Sequence, residues 1–502
     1  MPALPPRRGL RRRALRAPLP GGARLREPVR LLRRPAPPDP ARRVGPARGG
    51  RAVTATLTRE EVHALGSTEG GSDTIARLAA GQHTRRLLLL RVLLDAVEAG
   101  GTAAGAGAAR AARDHAGLLE TVERAAPAAA REVLFYSLTG PWAERCVQWL
   151  ETGSHPGARD GAARDLARLG ALAAAAAARS GVGFATRVPV HAGHIALPTL
   201  GAFRCPAPDG TPAELSGDRD RLVLHAAGRA PAEVYRDTGG TWRSDDPGWL
   251  PLHRLDGGPR TVLLDDLDPG PLGTGAPTGL HPEERARWRA LWRDALPLLG
   301  LGGAARSAEL ALLDCIVPTL DPAPGTSGGA HTSGTSATAF GAVMASRPPG
   351  PAHLAAGLAH ELQHAKLTAL DELVPLHTVD DEPRHWAPWR PDPRPFHGLL
   401  HGTYAHLALT GFWQRLAVAH DDAEVRDQAW AAHARCRTQV GAVLPMLRNT
   451  RRLTDAGRVF VEAMAERYER LRDPAPPAGH LVRAAAYVET ARTVWLRQHG
   501  GR

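Results

Sequence analysis

At 502 residues, 43% of them hydrophobic and 23% charged, the chain is long enough for two or three compact units and ordinary enough in composition to fold. A small disulfide-held scaffold and a mainly disordered protein are both excluded. The net charge of +12 does not indicate a nucleic-acid partner. Residues 1–51 hold fifteen arginines against Glu27 and Asp39, more positive charge than the whole chain carries, so the remainder is close to neutral.

Residues 1–52, rich in Arg, Pro and Gly and without periodicity, read as a disordered basic arm. Arg7 and Arg8 form a twin-arginine pair, but no apolar stretch follows, and the longest early apolar runs, 87–90 and 92–94, are far short of a membrane span. A cytoplasmic protein with no membrane partner is expected. Cys146, Cys205, Cys315 and Cys436 are widely separated, with no CxxC pair, and read as buried free thiols.

Residues 53–180 read as a helical unit, with helices over 58–99, 108–149 and 159–179. Its alanine run 173–178 has high helix propensity and little to pack. From 181 to 275 the signal changes to short alternating or β-branched runs, 184–190, 222–225 and 260–264, cut by Gly, Pro and Asp, which predicts a β-rich unit. His191 and His194 within it make an HxxH spacing that reads as a half-exposed polar pair.

Residues 276–473 read as a metal-binding, largely helical domain, and 474–502 as a C-terminal helix or tail. In this stretch 282–299 is an amphipathic helix, 310–317 an apolar run that suits a strand, and 339–346 another candidate strand. A helix over 353–373, a Pro-rich loop over 388–395 and a second helix over 398–418 follow. The whole is an α+β fold, predominantly helical.

His360-Glu361-Leu362-Gln363-His364 is an HExxH motif inside the first of these helices. Four residues is close to one turn, so both imidazoles face one ion, while Glu361 projects about 100° away from His360. HExxH most often means zinc hydrolysis with the glutamate as general base. The downstream pattern of the extended zinc peptidases is missing, because Leu367 and Leu370 stand where a Gly and a third His are required. A third ligand can come from the following helix, as either His401 or His406.

Lys366 is the chain's only lysine, two residues past the motif, and is a candidate catalytic cation for a carboxylate. Asp371, seven residues after His364, suits an outer or substrate role. Trp386, Trp389 and Trp413 read as core or as a substrate platform.

The runs LAHELQHAKLTALDELVPL, APWRPDPRP and GLLHGTYAHLALTGFW, with FGAVMASRP upstream, resemble the HExxH-motif peptide-modification proteins of ribosomal peptide natural-product clusters. The resemblance covers roughly residues 59–471 and is most specific over 340–413. It implies an iron(II)- and 2-oxoglutarate-dependent dioxygenase that hydroxylates a side-chain Cβ of a ribosomal precursor peptide. A radical SAM maturase of the same cluster is an implied partner, although the radical SAM cysteine motif is absent here. Iron needs open positions for cosubstrate and O₂, which three histidines leave available. The far carboxylate of 2-oxoglutarate needs a cation, for which Arg390 and Arg394 are the candidates. The alternatives are a zinc metallopeptidase that cleaves a leader peptide with Glu361 as base, and a non-catalytic peptide-binding partner.

Overall fold

A computed structural model describes residues 57–99, 105–152, 158–226, 228–268, 279–320 and 332–499 of the chain. The chain divides into two units, residues 1–54 and 55–502. The basic arm and its twin arginines fall outside the described residues, which all belong to the second unit. That unit contains thirteen α-helices and fifteen strands among the described residues, an α+β fold dominated by helix. No described helix is long and apolar enough to cross a membrane.

The helical N-terminal segment is more broken than its periodicity suggests. Residues 58–99 form two helices, α1 (Arg59–Gly66) and α2 (Ser72–Glu98). Thr58 caps α1 in a reciprocal box with Glu61. The break follows from Thr68 (φ 60°) and Gly70 (φ 137°), and from Gly66, where a Cβ would lie 2.9 Å from that of Ala463. The stretch 108–149 likewise becomes α3 (Ala106–Ala125), α4 (Pro127–Leu134) and α5 (Thr139–Thr152), because Pro127 supplies no N–H and starts a new helix.

Helix α6 (Ala158–Ser180) overturns the expectation that its alanine run has little to pack. Ala173–Ala177 are 0% exposed. The methyl side chains let α3, α4 and the following sheet come close on several sides at once.

The β-rich middle follows as β1 (Phe184–Pro189), β2 (His194–Leu197), β3 (Gly201–Arg204), β4 (Pro212–Asp218), β5 (Arg221–His225), β6 (Ala232–Arg236), β7 (Trp242–Arg243), β8 (Trp249–Pro251), β9 (His253–Leu255) and β10 (Val262–Leu264). An antiparallel sheet in the order β1-β4-β5-β6-β7 and a smaller one, β2-β3-β8, are local. Strands β9 and β10 instead join the next segment. There α7 (Pro282–Gly300) and α8 (Gly303–Glu309) precede β11 (Cys315–Pro318), β12 (Ser333–Thr335) and β13 (Ala342–Ala345). These build a mixed sheet, β12-β13-β11-β10-β9, with parallel β10, β11 and β13 flanked by antiparallel edges. The apolar run 310–317 is therefore strand only at its end; Leu310–Leu312 is a 3₁₀ turn.

Helix α9 (Pro351–Leu373) carries HExxH. The Pro-rich 388–395 stretch, expected as a loop, is a hairpin of β14 (His385–Ala387) and β15 (Arg390–Arg394). A two-stranded ribbon tolerates Pro391 and Pro393 because a strand's outward positions need no N–H donor. Then come α10 (Phe396–Ala419), α11 (Ala423–Arg448), α12 (Asp455–Arg470) and α13 (Ala478–His499).

One core runs through Leu65 and Ile75 at the front of the chain, Trp288 of α7, Leu358 and Leu362 of α9, Leu407 of α10 and Phe460 of α12. The helical, β-rich and HExxH-bearing segments thus share a single compact unit. The four cysteines are buried and free. His191 binds Asp209 (3.1 Å) and His194 the Ala192 carbonyl (2.9 Å), a turn-stabilising pair.

Two histidines outside the motif-bearing helices add to the acid sensitivity of the fold. Burial, with Arg86, Arg260 and Arg131 nearby, pushes the His83 pKa down to about 4, where the ring lies stacked 4.2 Å from Phe135. Burial, with Arg285 and Arg289, does the same to His253, also to about 4. Both rings stay neutral in the folded chain, while in the unfolded chain they take up a proton near pH 6.5. Their contribution is fully present above pH 6.5 and is lost as pH falls toward 4. Thermal unfolding should show a midpoint that drops over that window, and drops less steeply in His83→Phe, which keeps the stack.

Candidate metal centre

Proline at the first turn of α9 starts a helix whose apolar residues bury it on nearly every side, leaving His360 and His364 on one stripe. Their Nε2 atoms are 3.1 Å apart and their ring centroids 4.8 Å apart. Helix α10 lies against α9 so that His406 is beside His360 (5.4 Å between rings) and His401 beside His364 (5.6 Å). The two helices therefore run antiparallel, and the motif pair and both alternatives for the third ligand come together.

His406 donates from Nδ1 to the Gly402 carbonyl (2.8 Å), which leaves its Nε2 with a lone pair. His401 meets His364 through Nδ1 of both rings (3.4 Å). Burial holds His360 and His401 well below the ordinary histidine pKa, and brings His364 and His406 to about 4; the Arg394 charge adds to the effect on His364. All four are neutral at neutral pH, the form that ligates a metal.

These residues fit a metal ion. Two nitrogens each about 2.1 Å from one ion, at an angle near 95°, stand about 3.1 Å apart, which is the His360–His364 separation. Among the described residues no three His, Cys, Asp or Glu side chains already close around one point. The histidine pair is closed, and His406 is the nearest ring that keeps an uncommitted nitrogen.

Glu361 is 2% exposed, and both of its oxygens are engaged: Ser333 Oγ donates to one (2.7 Å) and Thr335 Oγ1 to the other (3.2 Å). Burial raises its pKa to about 6, against the lowering effect of those two hydroxyls. The strand β12 that supplies them gives no sequence signal beyond an ordinary Ser/Gly/Thr stretch.

Lys366 is not at the centre. It lies about 200° around α9 from His364, where Nζ donates to Glu309 (2.6 Å), Gln363 Oε1 (3.0 Å) and the Glu69 carbonyl (2.8 Å). Glu309, wholly buried, also takes Arg306 and Gln363 Nε2 (3.0 Å). A compact ammonium with three donors meets three acceptors here, so the lysine expected to be catalytic is a structural cation. Nothing near position 366 in the sequence points to Glu309.

Of the two candidate arginines, Arg390 is half-exposed and held by Asp392 (2.8 Å). Arg394 makes a looser contact with Asp392 (3.4 Å), packs over Gly398 and lies close enough to His364 to depress its pKa. Asp371 accepts from the Leu376 N–H (2.7 Å) and fixes the end of α9. Trp413 packs edge-on to His353 (6.2 Å), and Trp386 lies under the Arg492 guanidinium (5.8 Å).

Trp389 is the aromatic that reaches the site. It stacks on His406 at 4.3 Å and 22°, and it can do so because Gly402 has no side chain: a Cβ there would lie 2.5 Å from the indole. Gly402→Ala is expected to push Trp389 off His406 and weaken metal binding roughly 10-fold, as for other supporting groups of metal ligands. Tryptophan fluorescence and metal titration would read both changes.

A scan of the chain against protein-family models finds no match, and no curated protein matches it.

Proposed function

We propose that this chain is an iron(II)- and 2-oxoglutarate-dependent hydroxylase acting on a ribosomally made precursor peptide, with His360, His364 and His406 as metal ligands. The observation that carries this reading is the convergence of His360 and His364 Nε2 at 3.1 Å beside a third neutral imidazole whose outer nitrogen is already bonded. Such a set leaves open positions for a chelating cosubstrate. Iron(II), 2-oxoglutarate and O₂ together supply the oxidising power that converts a side-chain Cβ–H to an alcohol, with succinate and CO₂ as co-products.

The protein's own part is binding and orientation. Arg394, at the end of β15 and near His364, is the cation for the far carboxylate of the cosubstrate. Trp389 shields one face of His406 from water. Glu361, held by Ser333 and Thr335, braces α9 against β12 rather than pointing a free carboxylate at the ligand pair. A cytoplasmic setting, where precursor peptides are made, suits four reduced buried cysteines. A radical SAM maturase remains a proposed partner.

Zinc-dependent peptide hydrolysis is the second reading, and one observation favours it. Glu361, between the two histidines, is raised to about 6, a value suited to a general base. Incubation of the iron-loaded protein with the precursor peptide and O₂, with and without 2-oxoglutarate, separates the two readings by intact mass. A gain of one oxygen that requires 2-oxoglutarate and vanishes in His364→Ala is expected. Peptide fragments formed with zinc alone would establish hydrolysis instead.

A further inference from the structure

We infer that His401 is a positioning residue of the centre and not a ligand: its Nδ1 accepts the Nδ1 proton of His364, which keeps the Nε2 lone pair of His364 turned toward the ion. The inference rests on the proposed reading of His360, His364 and His406 as ligands.

The argument starts from the ring nitrogens. A neutral imidazole carries one donor and one acceptor, so in the contact between His364 Nδ1 and His401 Nδ1 (3.4 Å) one ring donates and the other accepts. His364 faces His360 through Nε2. For that nitrogen to hold a lone pair for an ion, the proton of His364 must sit on Nδ1. His401 Nδ1 is then the acceptor, and the proton of His401 is on its own Nε2. Neither nitrogen of His401 remains for a metal.

Helix geometry agrees. His401 and His406 are five residues apart on α10, about 140° around the axis, so they cannot both face one point on α9. His406 meets His360, and its outer nitrogen is already fixed by the Gly402 carbonyl. His401 is stacked nearly parallel to His364, 18° between planes, which sets the direction of the His364 ring as well as its proton. Among the described residues His401 is the only hydrogen-bond partner found for His364 Nδ1.

The test compares His401→Asn, whose Oδ1 can accept in place of Nδ1, with His401→Phe, which keeps the stacked ring but cannot accept. Cobalt(II) is the probe, titrated into the metal-free full chain against a competing chelator, with the visible ligand-field spectrum recorded. His401→Asn should bind within about threefold of the unsubstituted protein. His401→Phe should bind about 10–100-fold more weakly with an unchanged spectrum, the loss typical of an outer partner. Metal-free protein labelled with ¹⁵N-histidine gives a second readout: His364 should be the Nδ1–H tautomer in the unsubstituted and Asn forms, and a mixture in the Phe form. Equal cobalt affinity in all three proteins, an altered spectrum in His401→Asn, or a His364 tautomer indifferent to His401→Phe would each overturn the inference. Failure of the hydroxylase reading shows separately, as absence of 2-oxoglutarate-dependent oxygen gain in a protein whose cobalt affinities still separate as stated.

Discussion

His406→Ala should abolish metal binding and peptide modification together, as His360→Ala and His364→Ala should, with losses larger than the roughly 10–100-fold that follows removal of an outer partner. His406 brings to the site a neutral ring whose Nδ1 is committed to Gly402 and whose Nε2 is not. Its removal leaves two imidazoles, their Nε2 atoms 3.1 Å apart on α9, with no third ligand opposite them. Metal content by elemental analysis after gel filtration is the direct measurement. Retention of one equivalent of metal by His406→Ala would show that the third ligand lies elsewhere.

The largest stability effect is expected away from the histidines, at Glu309. This carboxylate is 0% exposed and balances two buried cations, Arg306 and Lys366. Glu309→Gln leaves both positive charges facing each other in the core, and stranding a buried charge costs about 3–5 kcal/mol. Lys366→Met is milder, about 1–3 kcal/mol, because Arg306 still pairs with Glu309 and what is lost is a donor to Gln363 and to the Glu69 carbonyl. The double substitution should recover part of the Glu309→Gln loss, since it removes one of the two stranded cations. Thermal unfolding of the four proteins gives the order. Lys366→Met should also retain full metal content and peptide modification, which a ligating or a catalytic lysine beside the motif would not predict.

What could be read in the sequence follows the range of the physics involved. The HExxH helix and its successor were legible because periodicity, a proline start and motif spacing all act within a few residues. The expected 353–373 and 398–418 match α9 and α10 to within two residues at each end. His401 and His406 were legible only as alternative third ligands on the following helix; that both lie next to the motif comes from the packing of α10 on α9. The role of Lys366 was not legible, because its partner lies 57 residues away and only folding brings α8 under α9. The breaks within 58–99 and 108–149 were hidden for a related reason. Apolar periodicity continues across them, whereas Gly66 and Pro127 act through a tertiary contact and a missing N–H. The hairpin at 385–394 was masked by prolines that normally argue against strand.

The packed alanines of α6 bear on how this protein can change over generations. A one-base change in an alanine codon gives Ser, Thr, Pro, Val, Asp, Glu or Gly. All but the last are larger, and Pro also breaks a helix. Gly costs roughly 1 kcal/mol in helix propensity. With Ala173–Ala177 fully enclosed, every such step is penalised either by overpacking or by a weaker helix. The stretch that looks most like low-information filler is thus among the least substitutable parts of the chain, and its uniformity records a packing constraint.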